Sequence, residues 1–334
     1  MARGEAAADG PLPAAGPLPA AFVERLARIL PAAWVGPCLE GFAREPATAF
    51  RVNPLKAEPA AVAAELAAAG LEPQALAWRT DAFTVPPEQR RPLTETAAFR
   101  EARIYIQNPS SWLPPEALAP QEGDWILDLA AAPGGKALHL AGLIRNRGRI
   151  SAVEPVRSRF FRMQRNLAAG GATCVQLYRR DGAGVGRACP EWFDRVLLDA
   201  PCSGEGRFRA GEPETFRHWH PRRSRELARI QGRLLASAAR ALKVGGVLVY
   251  ATCTMAPEEN EAVLDRLLRR HGTALELEPV EAPVTNVLPG LTTWGNRTLD
   301  PQLERAVRVL PDGLMEGFFV ARLRKLRSLE EAAP

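Results

Sequence analysis

Short apolar runs alternate with amphipathic stretches along residues 105–325, and this alternation predicts the main fold. The runs are almost continuously apolar, which is typical of strands that are buried on both faces of a parallel sheet. They predict strands at 125–129, 149–153, 173–178, 195–199, 247–252 and 317–323. The stretches between them predict helices at about 136–144, 156–169, 222–242 and 257–270. We therefore expect an α/β domain whose mostly parallel sheet carries helices on both faces.

The longest of these predicted helices has apolar side chains at helical spacing on one face, and its remaining positions are polar and rich in arginine. We expect the apolar face to pack against the sheet. Its members are Leu227, Ile230, Leu234, Ala238 and Leu242.

The N-terminal third of the chain shows a different pattern. Helical spacing predicts helices at 22–30 and 59–69, and residues 76–85 resemble a strand. These elements predict a small α+β domain over residues 21–103, followed by the larger domain over 104–328. Residues 1–20 are rich in alanine, proline and glycine, which favours a disordered tail.

A glycine-containing loop follows the first strand of the larger domain. Ligands of open α/β sheets bind beyond the carboxyl ends of the strands, and glycines followed by a helix N-terminus let the backbone approach such a ligand closely. The loop is not a phosphate-binding P-loop, because Ala130 and Ala137 occupy positions that need glycine and a hydroxyl residue. The candidate cofactor-binding residues here are Ala131, Ala132, Pro133, Gly134, Gly135 and Lys136.

Two acids follow the next two predicted strands. Glu154 stands where an acid commonly binds ribose hydroxyls, and Asp181 could reach an adenine amino group. Either acid alone is more often a helix cap or a turn residue. As an ordered set with the glycine loop, they predict an adenosine-type cofactor.

Two cysteines end strand-like runs, and an acid precedes one of them. Methylation of cytosine at carbon 5 needs a thiolate that adds to carbon 6, a group that faces the ring and a proton acceptor. Cys202, Cys253 and Asp199 supply these groups if their strands are neighbours, and Lys136 or nearby arginines could lower the pKa of a thiol. A single strand-end cysteine is more often a packing residue; two of them favour catalysis.

Composition excludes several classes of protein. The five cysteines form no CxxC pair, which argues against a disulfide framework and against a metal site. We see no apolar run long enough to cross a bilayer and no signal peptide, so we expect a cytoplasmic protein that binds neither metal nor membrane. The net charge of +5 comes mainly from arginine, which suits nucleic acid but also reflects a GC-rich genome.

Residues 207–233 interleave arginines with aromatic side chains directly after the Cys202 loop. Such a segment suits phosphate contacts and stacking on unpaired bases, although the arginines from 222 onward also fit a solvated helix face. Arg207 and Arg209 are therefore candidate RNA-binding residues.

Residues 199–206 and 250–254, followed by 257–261, resemble the paired cysteine motifs of the Sun/Nop family of RNA cytosine-5 methyltransferases, which includes the bacterial RsmB/RsmF-like enzymes. Further resemblance lies at 51–56, 105–111, 128–136 and 317–320, so that it covers roughly residues 21 to 325. Departures from the family pattern include Ala130, Ala137, Asn108 and Asp312.

The resemblance implies a Rossmann-like class I methyltransferase fold with S-adenosylmethionine as cofactor. It implies that Cys253 is the nucleophile and that Cys202 assists proton removal and product release. It also implies that Asp199 and Lys136 contact the target base, Asp199 at the edge of the cofactor site, while Glu154 and Asp181 hold the ribose and adenine. RNA contacts are expected from Arg51, Asn53 and Lys56.

The expected substrate is small-subunit (16S) rRNA, with tRNA as the alternative, and the expected state is a monomer. A non-catalytic, RNA-binding ribosome-assembly factor and a methyltransferase for a small molecule or protein are the rival classes. We expect the chain to lack the C-terminal RNA-binding domain of the bacterial enzymes.

Overall fold

The computed structural model describes residues 18–329, which form a large mixed sheet with helices on both faces and a smaller antiparallel sheet beside it. The α/β class predicted from the sequence is confirmed. The N-terminal elements are helices α1 (Ala20–Ile29), α2 (Ala32–Ala43), α3 (Pro59–Ala68), α4 (Arg90–Thr94) and α5 (Ala97–Arg100), and strands β1 (Thr48–Val52), β2 (Gln74–Leu76), β3 (Arg79–Val85) and β4 (Ile104–Ile106).

The larger sheet begins after a short helix, and most of its strands lie within two residues of their predicted bounds. The strands are β5 (Trp125–Asp128), β6 (Arg149–Val153), β7 (Val175–Tyr178), β8 (Phe193–Asp199), β9 (Leu242–Thr252), β10 (Leu275–Glu278), β11 (Val287–Pro289), β14 (Val307–Val309) and β15 (Phe318–Lys325), with a separate hairpin of β12 (Thr293–Trp294) and β13 (Arg297–Thr298). The helices are α6 (Leu113–Leu118), α7 (Gly135–Leu143), α8 (Arg157–Ala169), α9 (Val185–Ala188), α10 (Arg223–Ala241) and α11 (Glu261–His271).

The strand order of this sheet is β11-β14-β15-β9-β8-β5-β6-β7, and β10 also pairs with β15. Strands β5 to β9 are parallel, whereas β15 pairs antiparallel with β9, β14 and β10. The expectation of a mostly parallel sheet is therefore right for one half only. The segment between β14 and β15 is too short for the helical crossover that parallel neighbours need, so those strands run antiparallel.

The central strands are buried on both faces, which explains their continuous apolar runs. Val196, Leu198, Leu248 and Tyr250 are fully buried in an apolar cluster with α10 and α11. A second cluster on the opposite face contains α7 and α8. Helices therefore cover both faces, as predicted.

Helix α10 buries Leu234 and Ala238 as predicted, but the rest of its buried face differs from the prediction. Ile230 is 38% exposed and Leu242 already belongs to β9, whereas Gln231 and Ser237 are buried. The hydroxyl of Ser237 donates to Gly182 O and accepts from the backbone of α9. Small and polar residues thus pack where the helix comes close to a neighbouring backbone, and hydrophobicity alone could not locate that face.

The small sheet has the order β2-β3-β1-β4 and is antiparallel throughout. Helices α1 and α2 pack instead with Phe208, Met255 and Leu310 of the larger part. Helix α2 was not predicted, since Pro37 interrupts its pattern. Most of the predicted tail, residues 1–17, lies outside the described residues; Leu18 is buried and α1 begins at Ala20.

Candidate active site

The glycine loop joins β5 to α7 at the edge where the parallel strands end. Gly134 has φ of +103°, a left-handed conformation that favours glycine. A Cβ on Gly135 would lie 2.7 Å from the ring of Tyr105, so this position has no room for a side chain. Both glycines are buried, and Gly135 lines a small cavity together with Tyr105 and Asp199.

Glu154 and Asp181 end the next two parallel segments and line the same cleft as the loop. One carboxylate oxygen of Glu154 accepts from Val156 N at 2.8 Å, and one of Asp181 accepts from Ala183 N at 3.0 Å. Each carboxylate therefore stabilises a local turn, as expected of an isolated acid at such a position. Because both also face one cleft, the turn role does not exclude ligand binding.

The two thiols meet between β8 and β9. The Sγ atoms of Cys202 and Cys253 lie 3.2 Å apart, within hydrogen-bonding distance for sulfur, and both residues are half-buried. A hydrogen bond from Cys202 lowers the pKa of the Cys253 thiol despite burial, and Arg207 lowers it further. The same contact raises the pKa of Cys202 well above its usual value. The pair is therefore arranged so that Cys253 ionises more readily than Cys202.

A half-buried ion pair joins the glycine loop to β8. Lys136 Nζ lies 2.6 Å from Asp199 Oδ2. Burial lowers the pKa of Lys136, but Asp199 outweighs it and the net pKa is raised, so the lysine is charged. Asp128 lies beneath this pair, and burial raises its pKa to about 7. Asp128 was not selected from the sequence, although it begins the glycine-loop motif.

The loops that carry the cysteines are cross-linked by polar groups. Ser203 Oγ and Thr254 Oγ1 lie 2.8 Å apart, and Thr254 Oγ1 donates to Glu205 at 3.1 Å. Arg25 of α1 also donates to Glu205, at 2.8 Å, while Glu259 accepts from Ser203 N at 2.9 Å. These contacts fix the neighbours of both thiols. Sequence reasoning included the two glutamates in motifs but gave them no role.

Glu316 is a further residue of the site that sequence reasoning missed. It lines the cleft with the cysteines, and burial raises its pKa while Arg207 and Arg209 oppose that rise. Asn108 accepts from Glu316 N at 3.1 Å and donates to Leu314 O at 3.0 Å. Asn108, a departure from the family pattern, therefore anchors the segment that leads into β15. No local signal marks Glu316, because its neighbours come from distant segments.

One cleft of about 900 Å³ brings most of the predicted site residues together. This volume lies within the range of ligand sites of a few hundred to about 1,000 Å³. The predicted residues that line it are Ala132, Pro133, Lys136, Glu154, Asp181, Asp199, Cys202, Arg207 and Cys253; Ala131 and Gly135 line a smaller adjoining cavity.

The predicted RNA contacts of the small domain lie elsewhere. Arg51 and Asn53 are buried and donate to Gly135 O at 3.4 Å and Gly170 O at 2.8 Å. Lys56 Nζ donates to Ala169 O at 2.8 Å. These three side chains tie the small sheet to the catalytic half, and their role in RNA binding stays a prediction.

The aromatic side chains after the Cys202 loop are not free to stack on bases. Phe208 is 1% exposed and packs edge-to-face with Phe22 and Trp219, and Trp219 Nε1 donates to Glu205 at 2.9 Å. Phe208 is therefore unavailable for the stacking expected of this segment, because it forms a core with α1. Within residues 18–329 we find no cluster of three or more His, Cys, Asp or Glu suited to a metal ion and no helix able to span a membrane.

The parallel half-sheet, the glycine loop and the acids at the strand ends are features of the Rossmann-like methyltransferase fold. A methyltransferase homologue from Pyrococcus horikoshii has the same fold, with a TM-score of 0.75 and 32% identity over 92% of this chain and 100% of that chain. The structure described as NSun6 from Pyrococcus horikoshii with SFG has a TM-score of 0.77 at 22% identity, over 93% of this chain and 99% of that chain.

Residues 115–324 match the family model described as 16S rRNA methyltransferase RsmB/F. The chain belongs to this family. The ribosomal RNA small subunit methyltransferase F of Cronobacter sakazakii is 39% identical over 84% of this chain and 57% of that protein. The chain thus spans somewhat less than two thirds of the length of such relatives.

Proposed function

We propose that this protein uses S-adenosylmethionine to methylate carbon 5 of a cytosine in small-subunit rRNA, through a covalent adduct on Cys253. The observation that carries the proposal is the contact of two thiols, 3.2 Å apart, in the cleft that also contains Glu154 and Asp181. A nucleophile and a cofactor cradle are then in position to act on one base.

The residues of the cleft fit the cofactor. S-adenosylmethionine supplies an electrophilic methyl group when bound. Pro133 and Ala132 of the glycine loop line the cleft, and the carboxylates of Glu154 and Asp181 suit the ribose hydroxyls and the adenine amino group. Asp199 bounds this cradle on the side of the thiols.

Cys253 is assigned as the nucleophile because its pKa is lowered while that of Cys202 is raised. The thiolate forms a bond to carbon 6, and the ring electrons move to carbon 5, which then attacks the methyl group. Cys202, once deprotonated, takes the proton from carbon 5; the electrons of that C–H bond re-form the double bond between carbons 5 and 6, the carbon–sulfur bond breaks, and Cys253 leaves as a thiolate. Cys202 is close enough to act on the same adduct, so we assign it the release step.

Lys136 and Asp199 orient the base in this proposal. Their ion pair is partly exposed toward the cleft, with side-chain exposures of 11% and 29%, so donor and acceptor groups face the ring together. Such a pair suits hydrogen bonding at nitrogen 3 and at the neighbouring amino group of cytosine. Stabilising charge at the ring favours attack at carbon 6.

The substrate follows from the family and from charge. Relatives carry the name ribosomal RNA small subunit methyltransferase F, and Arg207 and Arg209 flank the site. Small-subunit rRNA is therefore favoured over tRNA. The complete catalytic cluster argues against a non-catalytic assembly factor. We further propose that residues 21–103 form an RNA-binding domain and that the protein acts as a cytoplasmic monomer.

The experiment is transfer of labelled methyl groups to unmodified small-subunit rRNA, with bisulfite sequencing of the product. Cys253→Ala should abolish transfer, while Cys189→Ala, a thiol outside the cleft, should retain it. Transfer by Cys253→Ala, or a product other than 5-methylcytosine, would refute the proposal.

A further inference from the structure

We propose that a groove between α10 and α11, outside the catalytic cleft, binds the phosphate backbone of the RNA substrate. The groove has a volume of about 720 Å³ and is lined mainly by arginine and small residues. This inference rests on the proposed function in one respect only, that the anionic ligand is RNA. The arginines that line the groove are Arg225, Arg229, Arg233, Arg266, Arg270 and Arg297.

The arginines form two rows that face each other. Arg225, Arg229 and Arg233 are spaced by four residues along α10, so they share one face over about 12 Å of helix. Arg266 and Arg270 repeat this spacing on α11. Like charges at this spacing destabilise a helix, so the rows are not explained by the stability of the fold.

These charges are poorly balanced within the described part of the chain. Arg225, Arg229, Arg233 and Arg270 have no carboxylate within 4.0 Å there, whereas Arg297 lies 3.5 Å from Asp265. The one acid that lines the groove, Glu258, lies 4.0 Å from Arg25 of α1. At least four guanidinium groups are therefore available to an anion.

The floor of the groove consists of residues with small side chains. Ala228, Gly232, Ala236 and Ala262 lie between the two rows, and a Cβ on Gly232 would meet nothing within 4 Å. A chain of phosphates could rest on this floor with guanidinium groups on both sides. The other apolar lining residues are Val263 and Leu267, both buried, and the half-buried Trp294.

The groove adjoins the catalytic cleft. Arg233 lines both, and Ile230, one turn away, lines the cleft. RNA that reaches the thiols with one nucleotide can therefore lay its flanking backbone along α10. Three arginines on α10 match a strand with one phosphate every few ångström.

The test measures RNA affinity as a function of salt, with an unmodified small-subunit rRNA transcript as the probe. The groove variant is Arg225→Gln/Arg229→Gln/Arg270→Gln, three exposed side chains that do not line the cleft. The control is Arg145→Gln/Arg162→Gln/Arg165→Gln, which removes the same charge from exposed positions on or near α7 and α8, the helices of the opposite face of the sheet.

We expect the groove variant to bind RNA at least about tenfold more weakly than wild type. The slope of log affinity against log salt concentration should fall in magnitude by about 2 to 3, since each lost phosphate contact contributes roughly 0.7 to 0.9. The control variant should change the affinity for RNA by less than about twofold under the same conditions. Equal losses in both variants, or no loss in the groove variant, would overturn the proposal. Unchanged affinity for S-adenosylmethionine serves as the check on folding.

Failure of this inference can be distinguished from failure of the proposed function, because RNA binding is measured without methyl transfer. If wild-type protein transfers methyl groups, the groove variant should raise KM for RNA and leave kcat unchanged at saturating RNA. A lower kcat with the same KM would assign these arginines to catalysis instead and contradict a docking surface.

Discussion

At the scale of single residues, the two cysteines of the cleft differ because of their neighbours. The contact between the thiols raises the pKa of Cys202 and lowers that of Cys253, and the positive charge of Arg207 lowers the pKa of Cys253 further. Burial works against ionisation of both. The difference between the two pKa values therefore depends on how the neighbouring groups are placed around each thiol. The two cysteine motifs are similar in sequence, so they did not reveal which thiol attacks.

Removal of Arg207 tests this electrostatic account. In Arg207→Gln the pKa of Cys253 should rise, because a nearby positive charge that favours the thiolate is lost. The pH profile for alkylation of Cys253 by iodoacetamide should then move to higher pH, and alkylation at neutral pH should slow. Peptide-resolved mass spectrometry without RNA measures this. Arg209→Gln is the matched control, and coincident profiles for Arg207→Gln and wild type would contradict the account.

Residues inside local motifs could be predicted from the sequence, and residues assembled by tertiary contact could not. Cys202, Cys253 and Asp199 stand at strand ends, so the parallel sheet brings them to one edge. Glu316 precedes the antiparallel strand β15. The rule that site residues follow the carboxyl ends of parallel strands therefore does not locate it. Arg51 was predicted to contact RNA, and nothing in the sequence indicated that this arginine is buried and donates to Gly135 O of α7.

At the scale of elements, the Cys202 loop is held between two backbones. Gly206 N donates to Cys253 O at 3.0 Å, and Gly317 N donates to Gly206 O at 2.9 Å. The loop thus joins the end of β9 to the start of β15 through main-chain contacts. This arrangement aligns the two thiols and leaves no space for a side chain at residue 206.

Gly206→Ala should therefore damage activity more than stability. The new Cβ would lie 1.8 Å from Gly317 O, a backbone atom that cannot move without displacing the Cys253 contact. Overpacking of this kind costs about 1 to 3 kcal/mol, and displacement of the thiol should reduce methyl transfer on the order of a hundredfold.

Thermal unfolding and single-turnover methyl transfer measure the two effects. Gly184→Ala is the control, because its Cβ would meet nothing within 4 Å and its φ is −91°. Wild-type activity in Gly206→Ala would show that the loop tolerates displacement and would contradict the structural role.

Element positions were predictable where burial is uniform. Strands β5, β6 and β8 are covered on both faces, so hydrophobicity alone locates them. The antiparallel strands β10, β11 and β14 have only three or four residues each, and they gave no comparable signal. The start of α11 was predicted four residues early, because residues 257–260 form a turn that supports the cysteine loops.

At the scale of the whole molecule, the site lies where the strand order reverses. Strands β5, β6 and β7 extend to one side and β8 and β9 to the other, so the crevice opens between β5 and β8. The glycine loop comes from one side, and the thiols come from the other. The alternation of elements allowed this arrangement to be predicted, but the docking of α1, α2 and the small sheet was not visible in any pattern.

The same layout allows cofactor, base and RNA backbone to be bound by different parts of the fold. The cradle at β5 and β6 suits the methyl donor, the edge of β8 and β9 carries the thiols, and the groove on α10 and α11 offers charge to flanking RNA. The central claim is that both thiols act in sequence on one cytosine.

The most direct measurement uses Cys202→Ala with labelled small-subunit rRNA and S-adenosylmethionine, resolved on a denaturing gel. The account predicts a persistent protein–RNA complex linked through Cys253, which forms more slowly because the hydrogen bond to that thiol is lost, and which disappears in Cys202→Ala/Cys253→Ala. No complex with the single variant, or a complex that persists in the double variant, would contradict it.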